Sequence, residues 1–306
     1  MSTSLERELL EEVSLVLPSI SEAFIEKDWF VTQVIKVLAQ NQYLDFFIVF
    51  TGGTALSKAH KLIERFSEDI DFRVITPSLE GQGFSKVRKE FSNFKKHIIQ
   101  LLEKEFDVLD VYARDGNRHI TINLGYPTVC TPAEVLRPHI KLELTLSNLL
   151  LPSVELPVSS FVNEVAGKEP EVEKIACINP IENAADKLSA LVWRISSRVR
   201  GENDKQPDVV RHIHDLAKLM ERVAESSDFV ELARLTIQRD DNRTEELKGL
   251  SLEQKLSKMI AILETDTNYP NEYDTYVKEM VYNNYKAVPS FEEALNKLKL
   301  LVEKIK

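Results

Sequence analysis

A short apolar run that ends in two glycines, followed by an alternating segment, most constrains the fold of this chain. Residues 46–51 read Phe-Phe-Ile-Val-Phe-Thr and stop at Gly52-Gly53, which is typical of a buried strand ending in a tight turn. A helical pattern covers residues 54–66, and residues 69–75, Asp-Ile-Asp-Phe-Arg-Val-Ile, then alternate with the period of a strand. A strand, a glycine turn, a helix and a second strand are therefore predicted in this order.

The first part of the chain combines helices with strands. Besides those above, its predicted elements are helices within residues 1–42 and at about 85–104, and strands at about 107–113, 118–124 and 139–147. Asp115-Gly116-Asn117 separates two of these strands and is typical of a hairpin turn. We therefore predict a mixed-sheet α/β domain over residues 1–178.

The second part has a helical pattern throughout. Its predicted helices cover about 180–200, 207–224, 226–239, 251–265, 271–286 and 290–305. The sequences Ser251-Leu-Glu-Gln254 and Ser290-Phe-Glu-Glu293 are typical of capping boxes, in which the serine and the fourth residue bind each other's backbone N–H. We therefore predict an all-helical domain over residues 179–306, so that the whole chain has an α+β arrangement.

Composition and charge exclude several classes of protein. The 306 residues are 43% apolar and 29% charged, which excludes collagen-like and disordered chains. The two cysteines, Cys130 and Cys177, are too few for a disulfide framework, and a reduced cytoplasmic setting is expected. No apolar run approaches the roughly 18 residues of a membrane span, and no signal-peptide pattern is present. The net charge of −10 argues against a general DNA-coating protein but permits a nucleic-acid substrate, because binding follows the local field.

The alternating segment places two carboxylates on one face of a strand. Side chains two residues apart share a face, so Asp69, Asp71 and Arg73 lie opposite the apolar residues between them. The two carboxylates are then about 7 Å apart along the strand. Mg²⁺ is commonly bound by one or two carboxylates together with substrate phosphates. A solvated strand edge is the simpler explanation of this pattern taken alone.

The glycine turn is a candidate phosphate-binding site. Gly52 and Gly53 leave a strand and open a helix, where exposed N–H groups and the helix dipole favour an anion. A phosphate site and metal-binding carboxylates within 20 residues of each other are the arrangement expected for nucleotidyl transfer. The combination in this order favours function over a chance pattern.

Glu143 is a candidate third carboxylate. In the strand around it, Lys141, Glu143 and Thr145 share one face and the alternate apolar residues share the other. A third acid beside Asp69 and Asp71 would complete a two-metal site for a transferring phosphate. Taken alone, a Lys-x-Glu pattern on an outer strand face is common and carries little information.

These residues resemble the motifs of a known family, the AbiEii/AbiGii nucleotidyltransferase toxins. The family has a polymerase-beta-like nucleotidyltransferase fold and includes abortive-infection toxins and the mycobacterial MenT toxins. The resemblance extends from about residue 45 to 220. Its four motifs here are Gly52-Gly53-Thr54-x-Leu56-x-Lys58, Arg65-x-Ser67-x-Asp69-x-Asp71-Phe72, Asn183-x-x-Asp186-Lys187-Leu188-x-Ala190-Leu191 and Arg211–Leu216, which contains Asp215.

The resemblance implies an enzyme that transfers a nucleoside monophosphate from an NTP, with Mg²⁺, to an RNA acceptor, most often the 3′ end of tRNA. It also implies a toxin that an antitoxin protein neutralises. The implied catalytic residues are Asp69, Asp71, Lys187 and Asp215, and a cleft between the two predicted domains would take the substrates. The implied metal ligands are Asp69 and Asp71, with Glu143, and the implied nucleotide-binding residues are Gly52, Gly53, Thr54, Lys58, Arg65 and Ser67.

One motif departs from the family pattern, and several alternatives stay open. Many relatives have Arg-Asp-x-x-Asp-Leu in the fourth motif, whereas His212 replaces the first acid here. Without the resemblance, Lys187 is explained by a lysine at the edge of an apolar helix face, and Asp215 by a helix ion pair with Arg211. Residues 187–211 contain six basic and three acidic residues. A surface that contacts RNA and a solvated helix face explain this excess of positive charge equally well. Transfer to a protein or small-molecule acceptor, and a non-catalytic interaction protein with this fold, are the competing functions.

Overall fold

The computed structural model describes residues 5–131, 133–201, 204, 208–282 and 288–306. The chain divides into two compact units, and each unit is built from two segments of the chain. The first, here called the sheet unit, comprises Met1–Lys61 and Phe66–Ile178. The second, the helical unit, comprises Leu62–Arg65 and Asn179–Lys306. Among the described residues, no helix combines the length and the hydropathy that a membrane span requires.

The described part of the sheet unit contains one mixed seven-stranded sheet. Its strands are β1 (Phe47–Thr51), β2 (Asp69–Ile75), β3 (Asp107–Arg114), β4 (His119–Gly125), β5 (Ile140–Leu146), β6 (Val154–Val158) and β7 (Val172–Cys177), in the order β3-β4-β5-β2-β1-β7-β6. The pairs β2–β5 and β1–β7 are parallel, and the other neighbours are antiparallel. The predicted mixed sheet is therefore confirmed, with β2 at its centre.

The sequence patterns did not predict β6 and β7. Pro157 lies in β6, and the register with β7 shifts between Leu156 and Val158 because proline cannot donate a ladder hydrogen bond. In β7 the buried residues Val172, Ile175 and Cys177 are unevenly spaced, so the strand lacks a period-two pattern. Both strands depend on pairing with distant segments for their structure.

The helix that follows Gly53 is shorter than the patterns suggested, and the short helix Phe161–Val165 was not predicted. The helices of the sheet unit are α1 (Arg7–Val16), α2 (Glu22–Ala39), α3 (Gly52–Thr54, continued by a π-helical turn over Ala55–Ala59), α4 (Phe84–Leu102) and α5 (Phe161–Val165). The predicted helix over residues 54–66 is wrong beyond Ala59. Lys61 has a φ of +53°, a left-handed conformation that a right-handed helix cannot include.

The core of the sheet unit lies on one face of the central strands. Ile70, Phe72 and Val74 of β2 are buried, as are the alternate apolar residues of β4 and β5. Apolar residues of α2 and α4 belong to the same core cluster. The alternation in residues 69–75 therefore fixes the faces as predicted, with Asp69, Asp71 and Arg73 on the side away from this core.

Among its described residues after Asn179, the helical unit contains helices and turns, with one isolated β-bridge at Val281. The helices are α6 (Pro180–Ser197), α7 (Arg211–Glu225), α8 (Phe229–Arg239), α9 (Leu252–Thr265), α10 (Asn268–Met280) and α11 (Phe291–Ile305), with 3₁₀ turns at Asp241–Arg243 and Glu245–Leu247. Helix α6 packs against α7, α8 and α9, and α11 packs against α7. The predicted start at Pro207 and the predicted end at residue 286 lie outside the described residues.

Both predicted capping boxes are present, at the starts of α9 and α11. The Ser290 hydroxyl accepts from the Glu293 N–H at 3.2 Å, and the Glu293 carboxylate accepts from the Ser290 N–H at 2.8 Å. Ser251 and Gln254 make the same reciprocal pair. These contacts satisfy N–H groups that a helix start otherwise leaves unpaired.

We predict that Ser290→Ala weakens the start of α11 by about 1 kcal/mol, because the Glu293 N–H loses its acceptor. Hydrogen exchange of that amide should accelerate about fivefold. Ser290→Asp is the control, since an aspartate at this position also accepts the bond. Equal exchange in Ser290→Ala and the wild type would contradict the prediction.

Candidate active site

The glycine turn and the second aspartate of β2 lie directly against each other. Thr51 is paired with Asp71 in the antiparallel register of β1 and β2, and Gly52 follows Thr51. A Cβ atom built on Gly52 would lie 2.9 Å from Asp71 Cγ and closer still to Oδ2. The Gly52 φ of +77° is also a conformation that favours glycine. The Asp71 carboxylate can therefore occupy its position only because residue 52 has no side chain.

The first aspartate of β2 is not part of a solvated edge. Strand β2 has a neighbour on both sides, and Asp69 is 6% exposed. Its Oδ1 atom accepts a hydrogen bond from Arg137 Nη1. Because a buried carboxylate needs such a partner, the simple explanation of the Asp-x-Asp pattern as an exposed strand face does not hold for Asp69.

Glu143 lies in the same row of the sheet as Asp71. The parallel register pairs Asp71 with Glu143, and both residues are on the face away from the apolar core. Lys141 Nζ lies 3.0 Å from Glu143 Oε1, and His119 Nε2 lies 3.7 Å from the same oxygen. Burial raises the pKa of Glu143, but the contacts with His119 and Lys141 outweigh burial and lower it well below its usual range. The carboxylate is therefore ionised at neutral pH.

Thr54 fastens the glycine turn to the beginning of β2. Its hydroxyl donates to the carbonyl of Ser67 at 3.2 Å and to the carbonyl of Asp69, and the residue is buried. Gly53 is buried in the same turn. The turn and the Asp69–Asp71 strand are therefore one rigid piece of structure. The predicted phosphate contacts of Gly52, Gly53, Thr54 and Ser67 stay predictions.

Lys58 contacts an aspartate of α2 that the sequence patterns did not single out. Its Nζ atom lies 2.5 Å from Asp28 Oδ1 and 5.6 Å from the centre of the Phe161 ring. The other oxygen of Asp28 accepts from the Phe161 N–H at 2.9 Å. Burial raises the pKa of Asp28, and the Lys58 ammonium opposes that effect. The contacts join α2, α5 and the π-helical turn, and the nucleotide-binding role of Lys58 stays a prediction.

In the helical unit, one buried carboxylate binds two buried cations. Arg65 Nε and Nη2 donate to the two oxygens of Asp215 at 2.6 and 2.7 Å, and Lys187 Nζ lies 2.7 Å from Oδ2. Burial raises the pKa of Asp215, but the charges of Arg65 and Lys187 hold it well below its usual range. Burial lowers the pKa of Lys187. Lys187 and Asp215 therefore form a buried ion pair, and their catalytic roles stay predictions.

Arg65 belongs to the helical unit although it lies four residues before Asp69 in the chain. The residue is 1% exposed, and its backbone pairs with Val281 in an isolated β-bridge. Its Nη1 atom also lies 3.3 Å from the Tyr276 hydroxyl. These contacts show that Arg65 holds the Asp215 carboxylate in place. The nucleotide-binding role of Arg65 stays a prediction.

Residues 36–297 match the family model of the nucleotidyl transferase AbiEii toxin, type IV toxin–antitoxin system. The chain belongs to the AbiEii nucleotidyltransferase toxin family. It is therefore a nucleotidyltransferase toxin of a type IV toxin–antitoxin system.

The fold is similar to that of MenT4, a nucleotidyltransferase toxin from Mycobacterium tuberculosis H37Rv. The two chains are 19% identical, and the match covers 97% of this chain and 99% of that one with a TM-score of 0.51. At this identity the likeness supports the fold alone. Comparison with curated proteins finds no match.

Nucleotidyltransferases use a divalent metal ion, and the aspartates of β2 have the chemistry to hold one in this AbiEii protein. Asp69 and Asp71 present carboxylate oxygens, the hard donors that Mg²⁺ prefers, on one face of the strand. Within the described residues, no group of three or more His, Cys, Asp and Glu side chains is arranged around a common metal position. A site of two carboxylates completed by substrate phosphates fits this arrangement, and the predicted ligand role of Glu143 stays a prediction.

The sequence patterns missed a charged cluster beside Asp69, formed by Lys27, Glu68 and Arg137. The buried ammonium of Lys27 donates to Glu68 Oε2 and to the Arg137 carbonyl, both at 2.5 Å. Burial lowers the pKa of Lys27, and the charge of Glu68 opposes that effect. Three adjacent charges, Glu26, Lys27 and Asp28, within an otherwise apolar stretch of α2 were the available signal. Nothing in the loop around Arg137 distinguished that residue.

Most basic residues between 187 and 211 have acidic partners within the helical unit. Arg198 lies 2.6 Å from Asp204, Arg200 lies 2.7 Å from Asp266, and Arg211 lies 2.9 Å from Asp208. Lys205 and Glu202 are outside the described residues. These ion pairs favour a structural explanation for the basic run over a surface that binds RNA.

His212, which replaces an acid of the AbiEii motif, is buried without a hydrogen-bond partner. Neither ring nitrogen has one among the described residues. Burial lowers the pKa of His212 well below its ordinary value, and the charges of Lys187, Arg211 and Arg194 lower it further. The imidazole is therefore neutral at pH 7. This turn of α7 thus carries one carboxylate, that of Asp215, where many relatives have two.

We predict that Gly52→Ala lowers nucleotidyl transfer at least about 100-fold, because the new methyl group displaces the Asp71 carboxylate. Gly81→Ala is the matched control. Gly81 has a similar φ of +70° but open space around its α-carbon, so alanine brings the backbone strain without the collision. Turnover of each variant with a labelled NTP is the measurement, and equal losses in both variants would contradict the prediction.

We predict that stability falls with acidification between pH 6.5 and 5.5 by about 1 kcal/mol because of His212. The folded protein keeps the ring neutral, whereas in the unfolded chain the histidine takes up a proton near pH 6.5, so acid favours unfolding. His212→Leu should remove this part of the pH dependence and leave stability at pH 7 equal or higher, because two unpaired polar atoms are lost.

Calorimetric unfolding across this pH range tests the prediction, and His97→Leu controls for the loss of one histidine. An unchanged slope in His212→Leu would show that other groups cause the pH dependence.

Proposed function

We propose that this enzyme transfers a nucleoside monophosphate from an NTP to the 3′ end of a tRNA, with Mg²⁺ as its divalent ion. The observation that carries the proposal is the close packing of the Asp71 carboxylate on Gly52, where a Cβ atom would collide with it. It joins a turn suited to phosphate with carboxylates suited to a metal ion. The tRNA acceptor rests on the family resemblance, and a substrate pair of NTP and tRNA implies a cytoplasmic reaction.

In the proposed reaction, the acceptor hydroxyl attacks the α-phosphorus of the NTP and releases its proton to water. The new P–O bond forms as the bond to pyrophosphate breaks. The backbone N–H groups of the turn at Gly52 and Gly53, with Ser67, would bind phosphate oxygens. Asp69 and Asp71 would hold Mg²⁺, which when bound neutralises charge that develops on the transferring phosphate.

Three predicted residues receive other roles in this proposal. Lys58 and Arg65 stabilise Asp28 and Asp215, since each is buried and paired within its own unit. Glu143, held by Lys141, shapes the electrostatic field beside Asp71. For Lys187 and Asp215 we keep a role in transfer, because the family motifs coincide with their buried ion pair. As in other type IV systems, the natural partner of the toxin is an antitoxin protein.

The test is a transfer assay with purified protein, Mg²⁺, total tRNA and each labelled NTP in turn. Asp71→Ala should lose at least about 100-fold in rate. Asp110→Ala should not, because that residue is exposed on the edge strand β3 of the same sheet. Periodate-oxidised tRNA should accept no label if the 3′ end is the acceptor.

The same assay distinguishes the other acceptors. Label that remains on oxidised tRNA would contradict transfer to the 3′ end. Label on a protein band or on a small molecule would show that this molecule, and not tRNA, is the acceptor. Transfer to it should be insensitive to salt, whereas transfer to RNA should fall because RNA binding weakens as salt is raised. Equal label with wild type and Asp71→Ala would contradict the assignment of the β2 carboxylates.

A further inference from the structure

We propose that Arg137 competes with the divalent ion for Asp69 and binds the triphosphate of the NTP. This inference rests on the proposed function, since it takes Asp69 as a metal ligand. It names a substrate-binding cation of the sheet unit that the family motifs do not contain. The geometry of Arg137 carries it in three steps.

First, the backbone of Arg137 is fixed by a buried ion pair. Its N–H donates to Glu68 Oε2 at 3.0 Å, and its carbonyl accepts from Lys27 Nζ at 2.5 Å. The Lys27 side chain is 0% exposed, and it is itself 2.5 Å from Glu68. Because both backbone polar groups are held by buried charges, the position of the Arg137 α-carbon is well determined and only the side chain can change partners.

Second, the guanidinium lies on the carboxylate expected to bind the metal ion. Arg137 Nη1 contacts Asp69 Oδ1, and Nε lies 3.9 Å from Glu68 Oε1. A carboxylate oxygen that accepts a guanidinium hydrogen bond has less negative charge to offer a cation. Arg137 and a divalent ion therefore compete for Asp69.

Third, the side chain of Arg137 is more exposed to solvent than the other members of the cluster. The Arg137 side chain is 37% exposed, whereas the side chains of Asp69 and Glu68 are 9% and 12% exposed. The planar guanidinium has five N–H donors and can bind carboxylate and phosphate oxygens together. A residue that served only to neutralise Asp69 would not need this access.

The charges of the cluster agree with such a role. Lys27 and Arg137 balance Glu68 and Asp69, so the four side chains sum to zero. An NTP bound to one divalent ion remains negatively charged overall. When the ion binds Asp69, the guanidinium loses that acceptor, and the phosphate oxygens are its natural new partners.

The test compares Arg137→Gln with the control Arg118→Gln. Arg118 has a similar side-chain exposure of 38%, and its guanidinium lies 4.0 Å from Asp115 and 5.5 Å from the centre of the Phe84 ring. Mn²⁺ affinity is measured from the electron paramagnetic resonance signal of the free ion. Nucleotide affinity is measured by equilibrium dialysis with a non-hydrolysable NTP analogue. No acceptor is added, so the identity of the acceptor does not affect either readout.

We expect Arg137→Gln to bind Mn²⁺ alone more tightly and the Mn²⁺–nucleotide complex more weakly, each by about tenfold, the size of one charge-assisted hydrogen bond. Arg118→Gln should match the wild type in both. Arg137→Lys, which keeps the charge and loses the planar fork, should fall between the wild type and Arg137→Gln in nucleotide affinity.

Two results would overturn the inference while leaving the proposed function intact. They are unchanged affinities in Arg137→Gln, and a parallel loss of both affinities, which would make Arg137 a structural support of Asp69. Circular dichroism verifies that each variant is folded, and Arg137→Lys replaces Arg137→Gln if the latter is not. A wild-type protein that binds neither Mn²⁺ nor the analogue would instead contradict the proposed function.

Discussion

The close approach of Gly52 to Asp71 is the constraint on which the candidate site depends. Strands β1 and β2 pair so that the residue before Gly52 faces Asp71, and the turn can pass the carboxylate only without a side chain. The hydroxyl of Thr54 then ties the turn to the carbonyl of Asp69. A tight turn, a carboxylate and a helix start are therefore held in one arrangement by backbone pairing, which is stiffer than any set of side chains on loops.

Several buried charges among the described residues occur in paired sets. Lys58 with Asp28, Lys27 with Glu68, and Asp215 with Arg65 and Lys187 each remove charge from water and compensate for it with short contacts. Such pairs contribute little net stability, but removal of one member leaves an uncompensated charge and is costly. They therefore restrict the chain to the arrangement in which every partner is present, and Lys58, Arg65, Lys187 and Asp215 among them are residues of the family motifs.

Local pattern was sufficient wherever a single strand or helix face decided the outcome. The alternation of residues 69–75 fixed which side chains of β2 enter the core, and the serines before α9 and α11 fixed both capping boxes. It was insufficient for β7, whose buried residues are unevenly spaced, and for the helix after Gly53, which stops where Lys61 adopts a positive φ. In both cases long-range packing outweighs local preference.

The sequence by itself determined the mixed sheet followed by helices, the two carboxylates on one strand face, and the family, because these follow from periodicity and from motif spacing along the chain. Only the tertiary structure decided the partners of those residues. Arg65 lies four residues from Asp69 yet binds Asp215, and Arg137 reaches Asp69 from a loop with no distinguishing pattern. Partner choice depends on distances between segments far apart in sequence, which no local pattern encodes.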